Sequence, residues 1–317
     1  MSAPRTLGGR PGVLVLIPLP EETLEALRRD YVLRYQPDGR APITPTAAVR
    51  AVVTNGSTGL GDTLMAALPA LEIVCAFGAG YENIDLESAV RRGIVVTHAP
   101  GANAATVADH AIGLMLALAR GFAPLTQAVR QGQWHASRSA RPTLTGAALG
   151  IVGMGRIGRL IAARAQGFAM TIGYHGRSPH DDAPGRYYSE LEQLAENSDF
   201  LVAACNGGAA TRHLIDRNVL RALGPRGYVV NVARGSVLDT EALLHALREQ
   251  DIAGAGLDVI EGEPDVPAAL LDHPDVLVTP HVAGRSPASL HAQHSALLAT
   301  LAQHFGGARV ERAVSAR

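Results

Sequence analysis

A glycine turn in the middle of the chain constrains the fold more than any other sequence feature. It follows the apolar run Leu149–Val152 and opens the helical pattern Arg156–Phe168. Such a turn between a buried strand and a helix is typical of a dinucleotide-binding βαβ unit, because glycine permits a tight turn and the close approach of a pyrophosphate. The first N–H groups of the helix would then face the phosphates. The predicted phosphate-binding residues are Gly153, Gly155, Arg156, Ile157 and Gly158.

Short apolar runs alternate with helical patterns along most of the chain, which favours parallel sheets built from βαβ units. At 317 residues the chain is longer than one hydrophobic core usually supports, so we expect two α/β domains. The predicted strands are Val13–Ile17, Val32–Tyr35, Ala51–Thr54, Ile73–Ala76, Ile94–Thr97, Leu149–Val152, Met170–Tyr174, Phe200–Ala204, Tyr228–Asn231, Ala255–Asp258 and Val276–Thr279. The predicted helices are Glu21–Asp30, Leu86–Arg92, Ala104–Ala119 with Asn103 as a candidate N-cap, Arg156–Phe168, Ser189–Asn197, Asp216–Ala222, Thr240–Glu249 and Pro287–Phe305.

The composition excludes several classes of function. A net charge of −1 gives no general attraction to nucleic acid or to a membrane surface. All 28 basic residues are arginines, so no lysine is available for a Schiff base. The two cysteines, Cys75 and Cys205, are predicted to be buried reduced thiols, which suits a cytoplasmic protein. No apolar signal core and no run of about 18 apolar residues occurs in the sequence.

The strand that follows the glycine turn ends without the acidic residue that binds the ribose 2′-hydroxyl in NAD-specific sites. The chain there continues into Gly176-Arg177-Ser178-Pro179, and its first carboxylate is Asp181. An acid would repel a 2′-phosphate, whereas a guanidinium and a hydroxyl would bind it through charge-assisted hydrogen bonds. We therefore predict a preference for NADP(H), with NAD(H) as the alternative cofactor. Arg177 could instead be a solvated loop residue, or stack on the adenine without discriminating.

Three ionisable residues, Arg234, Glu263 and His281, each follow an apolar run that is typical of a buried strand. In open α/β sheets ligands bind at the carboxyl ends of the strands, so we expect the three side chains to converge on one crevice. A guanidinium binds carboxylates, and an imidazole supported by a carboxylate exchanges protons. Beside a nicotinamide, this set predicts hydride transfer to a 2-keto acid. Taken singly, each residue could have a structural role instead, as a bridge between carbonyls, a loop cap or a buried histidine.

Together these residues resemble the D-isomer-specific 2-hydroxyacid dehydrogenase family along essentially the whole chain, above all its NADP-preferring glyoxylate/hydroxypyruvate reductases and its hydroxyphenylpyruvate reductases. The resemblance implies an α/β fold of two parallel-sheet domains, of Rossmann and flavodoxin type, separated by a cleft. It places a discontinuous substrate domain at 1–100 plus 287–317 and the dinucleotide-binding domain at 101–286. The matching segments are Gly153–Gly158, Tyr174–Ser178, Asn231–Gly235, Gly256–Val259, Glu263-Pro264 and Pro280-His281.

The resemblance also implies a role for each site residue. His281 would donate a proton to the carbonyl oxygen of the keto acid, and Glu263 would hold the imidazole and favour its charged form. Arg234 would bind the substrate carboxylate, and Asp258 would accept a hydrogen bond from the nicotinamide carboxamide. Further cofactor contacts would come from Arg177, Ser178, Cys205, Thr211, Val232 and Ala233, and further substrate contacts from Gly78, Ala79 and Gly80.

One segment departs from the family pattern. Relatives often carry a Thr-Pro-Glu-Thr-like turn beside the adenine, whereas this chain has Asn206-Gly207-Gly208-Ala209-Ala210 between Cys205 and Thr211. Thr211 keeps its expected place. Paired glycines without a proline predict a looser loop, which puts cofactor contacts from it in doubt.

We expect two kinds of partner: a small 2-keto or 2-hydroxy acid, and a second copy of the chain in a homodimer formed through Ala104–Ala119. No nucleic acid, membrane or metal is expected. The stretch around Trp134 reaches a neighbouring subunit's site in some relatives, although simple packing is an equal alternative. The substrate stays open among glyoxylate, hydroxypyruvate, 2-ketogluconate and aryl 2-keto acids such as hydroxyphenylpyruvate. A different class is also open: an NAD(P)-sensing corepressor-like binding protein, which would tend to carry long disordered tails that this sequence lacks.

Overall fold

A computed structural model of the chain describes residues 9–37 and 48–314. The chain divides into two compact units. One comprises Met1–Asn103 with Ser286–Arg317, and the other comprises Ala104–Arg285. Each contains its own parallel sheet, so the predicted α/β fold with two parallel-sheet regions is confirmed. The role of each unit in binding substrate or dinucleotide stays a prediction at this point.

The first unit is built on a five-stranded parallel sheet with the order β2-β1-β3-β4-β5. Its strands are short and mostly buried, and apolar residues cover both faces of the sheet in two separate clusters. The strands are β1 (Gly12–Val15), β2 (Val32–Tyr35), β3 (Val49–Thr54), β4 (Ile73–Ala76) and β5 (Val95–Thr97). The helices that precede the unit boundary are α1 (Glu21–Asp30), α2 (Asp62–Ala66) and α3 (Leu86–Arg91).

The second unit is built on a seven-stranded parallel sheet with the order β12-β11-β10-β9-β6-β7-β8. Its strands are β6 (Ala148–Val152), β7 (Thr171–His175), β8 (Arg186–Tyr187), β9 (Phe200–Ala203), β10 (Tyr228–Asn231), β11 (Gly254–Leu257) and β12 (Val276–Val278). Its helices are α4 (Ala104–Arg120), α5 (Phe122–Arg130), α6 (Arg156–Gln166), α7 (Leu191–Glu196), α8 (Arg217–Leu223), α9 (Thr240–Arg248) and α10 (Ala268–Leu271).

The central strands of this second sheet are mostly apolar, because helices cover both faces of a parallel sheet and leave no solvated side. All four residues of β9 are buried, as are all four of β11. Several helices begin at an aspartate that accepts hydrogen bonds from the first free N–H groups of the helix, as Asp216 does for α8 and Asp239 for α9. These caps fix where each helix starts after its strand.

The chain returns to the first unit through helix α11 (Pro287–Phe305). The helix begins with a capping box, in which the Ser286 side chain accepts from the Ser289 N–H and the Ser289 side chain accepts in return. Leu297 and Leu301 lie in the same buried cluster as the β1 residues Val13 and Val15. The first unit is therefore discontinuous in sequence.

Most predicted elements are present, with boundaries that differ by one to three residues. Among the α-helices and strands of the described residues, four were not predicted: α2, α5, α10 and the two-residue strand β8. One prediction is wrong. The side-chain oxygen of Asn103 is buried and accepts no hydrogen bond from any residue that the structure describes, so Asn103 does not cap α4. Both cysteines are free thiols, as predicted; Cys75 is buried, whereas Cys205 is only partly buried.

Among the described helices, none is long and apolar enough by itself to cross a membrane. Helices α4 and α5, taken together and bent by 51°, satisfy that test by length and composition only.

Candidate active site

The candidate site lies at the carboxyl edge of three neighbouring strands of the second unit. Strands β10, β11 and β12 are adjacent in the sheet, and the segments that follow them carry Arg234, Glu263 and His281 respectively. Parallel strands end at the same edge, so the topology brings these three segments together.

His281 and Glu263 are in direct contact. The Nδ1 atom of His281 lies 2.7 Å from Oε1 of Glu263, and both side chains are partly exposed. The backbone of His281 has a φ of +52°, a left-handed conformation that is uncommon for a residue with a side chain. Strained conformations of this kind cluster at functional sites and persist only where neighbouring contacts hold them.

Asp258 supplies those contacts. Its buried carboxylate accepts hydrogen bonds through Oδ1 from the Thr279 hydroxyl at 2.6 Å and the Val282 N–H at 2.9 Å, and through Oδ2 from the Ala283 N–H at 2.9 Å. The Asp258 backbone carbonyl accepts from the His281 N–H at 2.9 Å. A single carboxylate thus fixes the residues on either side of His281. Its expected hydrogen bond to a nicotinamide carboxamide stays a prediction.

A second polar chain reaches Asp258 from α4. The Nε2 atom of His110 lies 2.9 Å from the Thr279 hydroxyl oxygen and 3.6 Å from the Asp258 carboxylate. Sequence reasoning missed both His110 and Thr279, because neither lies in a segment whose pattern marks a site. Only their contact in the folded chain reveals that they support the turn at His281.

Arg234 is held by the turn that follows β10. The fully buried Asn231 side chain accepts from the Ala233 N–H at 3.0 Å and donates to the Arg234 carbonyl at 2.9 Å. The Arg234 guanidinium donates from Nη1 to the Ala233 carbonyl at 2.6 Å. A side chain at Gly235 would collide with the backbone of Ile260, so the Arg234 turn packs directly against the loop that leads to Glu263. Asn231 lies within a matched motif, but its structural role was not predicted.

The predicted phosphate-binding turn has the geometry that its sequence indicates. Gly153 has a φ of +101°, and Gly155 is extended and precedes the first residue of α6. A side chain at Gly158 would collide with the Gly153 carbonyl. The first N–H groups of α6, at Arg156 and Ile157, have no acceptor within the helix and are available to an anion.

The end of β7 presents Arg177 and Ser178 on an exposed segment. Asp182, the second of the two acids that follow, pairs with Arg159 of α6 at 2.8 Å. The turn itself, Gly176-Arg177-Ser178-Pro179, contains no carboxylate, and the first acids after it are Asp181 and Asp182. The arrangement suits an anionic group better than a ribose hydroxyl.

The loop between Cys205 and Thr211 is held at its end. The Thr211 hydroxyl donates to the Asn206 carbonyl at 2.8 Å and lies 3.2 Å from the Gly208 carbonyl. Burial raises the pKa of the Cys205 thiol to about 11, and the Arg234 charge acts in the opposite direction. The position of a Cβ on Gly207 would be 2.6 Å from the Arg234 Cγ atom, so the loop lies against Arg234. The buried Val232 and Ala233, also predicted to contact the cofactor, form the turn between Asn231 and Arg234.

The predicted substrate residues Gly78, Ala79 and Gly80 lie in the first unit, after β4. Gly78 has a φ of +114°. The Ala79 carbonyl lies 2.8 Å from Nδ1 of His98, whose ring meets that of Tyr81 edge to face. Sequence reasoning did not identify His98 as a support of this loop.

A further charged cluster holds the loop before Glu263. Glu261 lies 2.8 Å from Arg212 and 3.0 Å from Nε2 of His213, and the other ring nitrogen of His213 lies 3.5 Å from Asp239. No group of His, Cys, Asp or Glu in residues 9–37 and 48–314 has the arrangement of a metal site.

Comparison with known proteins gives one consistent result. Residues 112–283 match the model of the D-isomer specific 2-hydroxyacid dehydrogenase NAD binding domain. The chain is 38% identical over 301 residues to a glyoxylate/hydroxypyruvate reductase A from Arabidopsis thaliana, covering 93% of this chain and 96% of the relative. It has the same identity, over the same length and shares, to a hydroxyphenylpyruvate reductase from Plectranthus scutellarioides.

Comparison with solved structures finds the same family of enzymes. The fold is similar to that of an NADPH-dependent glyoxylate/hydroxypyruvate reductase from Sinorhizobium meliloti in complex with NADP and malonate, with a TM-score of 0.90 and 38% identity. The similarity covers 96% of this chain and 97% of that one.

Proposed function

Because the chain belongs to the D-isomer-specific 2-hydroxyacid dehydrogenase family and is an oxidoreductase of 2-keto and 2-hydroxy acids, we propose that it reduces a 2-keto acid of the glyoxylate and hydroxypyruvate class with NADPH, giving the D-2-hydroxy acid. The observation that carries this proposal is the 2.7 Å contact between His281 and Glu263. That contact leaves the Nε2 atom of His281 as the atom that can exchange a proton with substrate.

The glycine turn fits a dinucleotide. A side chain at position 158 would collide with the Gly153 carbonyl, so the glycine there lets the helix lie close to the turn. The first N–H groups of α6 point toward the space beside the turn. Gly153, Gly155 and the first residues of α6 would hold the pyrophosphate. When bound, the reduced nicotinamide supplies a hydride to the carbonyl carbon of the keto acid.

His281 acts as the general acid in this proposal. Negative charge grows on the carbonyl oxygen as the carbon is reduced, and Nε2 of the protonated imidazole donates a proton to it. Glu263 holds the ring through Nδ1 and stabilises its positive charge. In the reverse direction the neutral imidazole accepts the hydroxyl proton at the same atom. Asp258 and Thr279 hold the backbone of His281 in place during both steps.

Arg234 binds the carboxylate of the keto acid. A guanidinium can present two parallel donors to a carboxylate, in addition to the hydrogen bond that Nη1 of Arg234 donates to the Ala233 carbonyl. The Asn231 side chain fixes the turn that bears it. We further propose that Gly78, Ala79 and Gly80, through their backbone N–H groups, form the substrate loop of the first unit.

The preference for NADPH is supported by the exposed Arg177 and Ser178 after β7. A guanidinium and a hydroxyl there would bind the 2′-phosphate, and the turn offers no carboxylate to repel it. The similar Sinorhizobium meliloti enzyme binds NADP.

A homodimer is proposed through α5 and the segment after it. The sequence predicted Ala104–Ala119 as the interface, but the apolar residues of α4 lie mostly in the core of the second unit. None of the α5 residues is buried. Its large apolar residues Phe122 and Val129 are 54% and 46% exposed, and Trp134, in the segment that follows, is 61% exposed. Exposed apolar and aromatic side chains of this kind are typical of subunit interfaces. Sedimentation equilibrium of the unaltered protein should give the molecular mass of a dimer. If a Trp134→Ser variant has the same assembly mass, Trp134 is not part of the interface.

The decisive experiment follows NADPH oxidation with glyoxylate, hydroxypyruvate, hydroxyphenylpyruvate and 2-ketogluconate as separate substrates. We expect turnover that His281→Ala reduces roughly 10²–10⁴-fold, the range that a general acid contributes. His294→Ala, on α11 and hydrogen-bonded to Thr23, is the matched control. Nucleotide binding without turnover of any of the four acids would instead favour the corepressor-like alternative.

A further inference from the structure

The loop Cys205–Gly208 lies against both halves of the proposed site. At one end, a side chain at Gly153 would meet Cys205, with Cβ 2.6 Å from the Cys205 Cα atom and 2.7 Å from its nitrogen. At the other end, a side chain at Gly207 would meet Arg234, with Cβ 2.6 Å from Cγ and 3.2 Å from Cβ of the arginine. The methylene stem of Arg234 therefore occupies the space that a residue larger than glycine would need at position 207.

Space, not backbone conformation, is what excludes a side chain at Gly207. Its φ lies outside the left-handed region, so its backbone is one that other residues adopt. The next residue shows the opposite case. Gly208 has a φ of +131°, but nothing lies within 4 Å of where its Cβ would be. An alanine at 207 thus tests a contact without adding backbone strain.

The loop has little freedom to move away from Arg234. Cys205 is packed against the phosphate-binding turn, and the Thr211 hydroxyl holds the Asn206 carbonyl at 2.8 Å. The atoms that a new Cβ would meet are Cγ and Cβ of the arginine, close to its backbone. A change at 207 must therefore rotate the whole Arg234 side chain, because the guanidinium cannot adjust alone.

We propose that Gly207 is a positioning residue, whose lack of a side chain sets the rotamer of Arg234 and so the place where the substrate carboxylate binds. This inference rests on the proposed role of Arg234. The paired glycines that distinguish this loop are then a requirement of the site and not a loosening of it.

The experiment compares Gly207→Ala with the unaltered enzyme, using NADPH and the keto acid that the substrate panel identifies. We expect kcat/KM for the keto acid to fall roughly 10–100-fold, mostly through a higher KM, since misplacement of a binding group by about 1 Å has effects of this size. The Kd for NADPH and the Tm should change little. Ala210→Ser, which adds one atom to an exposed residue two positions after this loop, is the matched control.

A double-mutant cycle separates this inference from the proposed function. In an Arg234→Ala background, Gly207→Ala should have no further effect on kcat/KM, because the side chain it displaces is gone. An undiminished effect there would overturn the inference, as would normal keto-acid kinetics in Gly207→Ala, or a parallel loss of Tm and NADPH binding. If Arg234→Ala itself were fully active, the proposed function of Arg234 would fail instead.

Discussion

The backbone N–H of His281 donates to the carbonyl of Asp258 at 2.9 Å, so the segment that follows β12 is held by the residue that directly follows β11. The Asp258 carboxylate also accepts from Val282 and Ala283, the two residues that follow His281. These bonds hold a left-handed backbone whose strain costs about 1–3 kcal/mol. A buried carboxylate thus determines where the imidazole of the proposed acid points.

Replacement of this carboxylate should reduce both activity and stability. In Asp258→Asn one oxygen becomes an NH₂ group, so either Ala283 or the Val282 and Thr279 donors lose their acceptor. A buried donor left unsatisfied costs about 1–3 kcal/mol. We expect a lower Tm and a lower kcat, measured by thermal unfolding and NADPH oxidation. Asp272→Asn, at an exposed carboxylate, is the control. Equal Tm and kcat for both variants would contradict the positioning role.

Removal of the Glu263 charge should affect catalysis more than binding. Glu263→Gln keeps an oxygen that can face Nδ1 of His281 but loses the negative charge. A charge-assisted hydrogen bond is about 1 kcal/mol stronger than a neutral one, so kcat should fall at least about fivefold to tenfold. The KM for NADPH should not change. Asp265→Asn, two residues away and exposed, should behave like the unaltered enzyme. An unchanged kcat in Glu263→Gln would rule out electrostatic support of His281.

The sequence alone predicted the parts of the fold that follow from periodicity. Fully apolar runs such as β9 can only be buried strands at their length, and the glycine turn at 153–158 determines which strand starts the dinucleotide-binding unit. Helix α5 was not predicted; its sequence has an apolar face that includes Phe122 and Val129, but no described part of the chain buries that face.

The site was predictable only where residues lie just after strands. Arg234, Glu263 and His281 could be located because parallel strands end at one edge. His110 and Gly207 could not, since their importance arises from contacts with Thr279 and Arg234 that are distant in sequence. The prediction that Asn103 caps α4 was wrong for a similar reason. A residue type that favours the N-cap position does not show whether its side chain bonds to the helix.

Cofactor preference should depend on Arg177. Arg177→Ala should lower kcat/KM for NADPH roughly 10–100-fold and leave that for NADH nearly unchanged, because a charge-assisted hydrogen bond contributes about 1.5–3 kcal/mol. Arg226→Ala removes the same charge from an exposed residue that precedes β10 and serves as the control. A ratio of the two kcat/KM values equal to that of the unaltered enzyme would show that Arg177 does not bind the 2′-phosphate.

The thiols should be unreactive near neutral pH. Burial raises the pKa of Cys75 to about 12 and that of Cys205 to about 11, and in both cases it favours the neutral thiol over the thiolate that reacts. At pH 8 a thiol with a pKa near 11 is only about 0.1% ionised, against about a tenth for a free cysteine with a pKa of 9.0. Mass spectrometry after iodoacetamide treatment should therefore find both cysteines unmodified in the folded protein and modified after denaturation.

The same shift gives a pH dependence of stability. A thiol whose pKa is raised by folding contributes stability that is complete below its unfolded value of 9.0 and is lost as pH rises toward about 11. The free energy of unfolding should therefore decline between these values by more in the unaltered protein than in Cys205→Ser, which has no thiol to ionise at that position. Chemical denaturation at pH 8, 9.5 and 11 measures the difference. Parallel curves for the two proteins would mean that Cys205 ionises as readily in the folded chain as in the unfolded one.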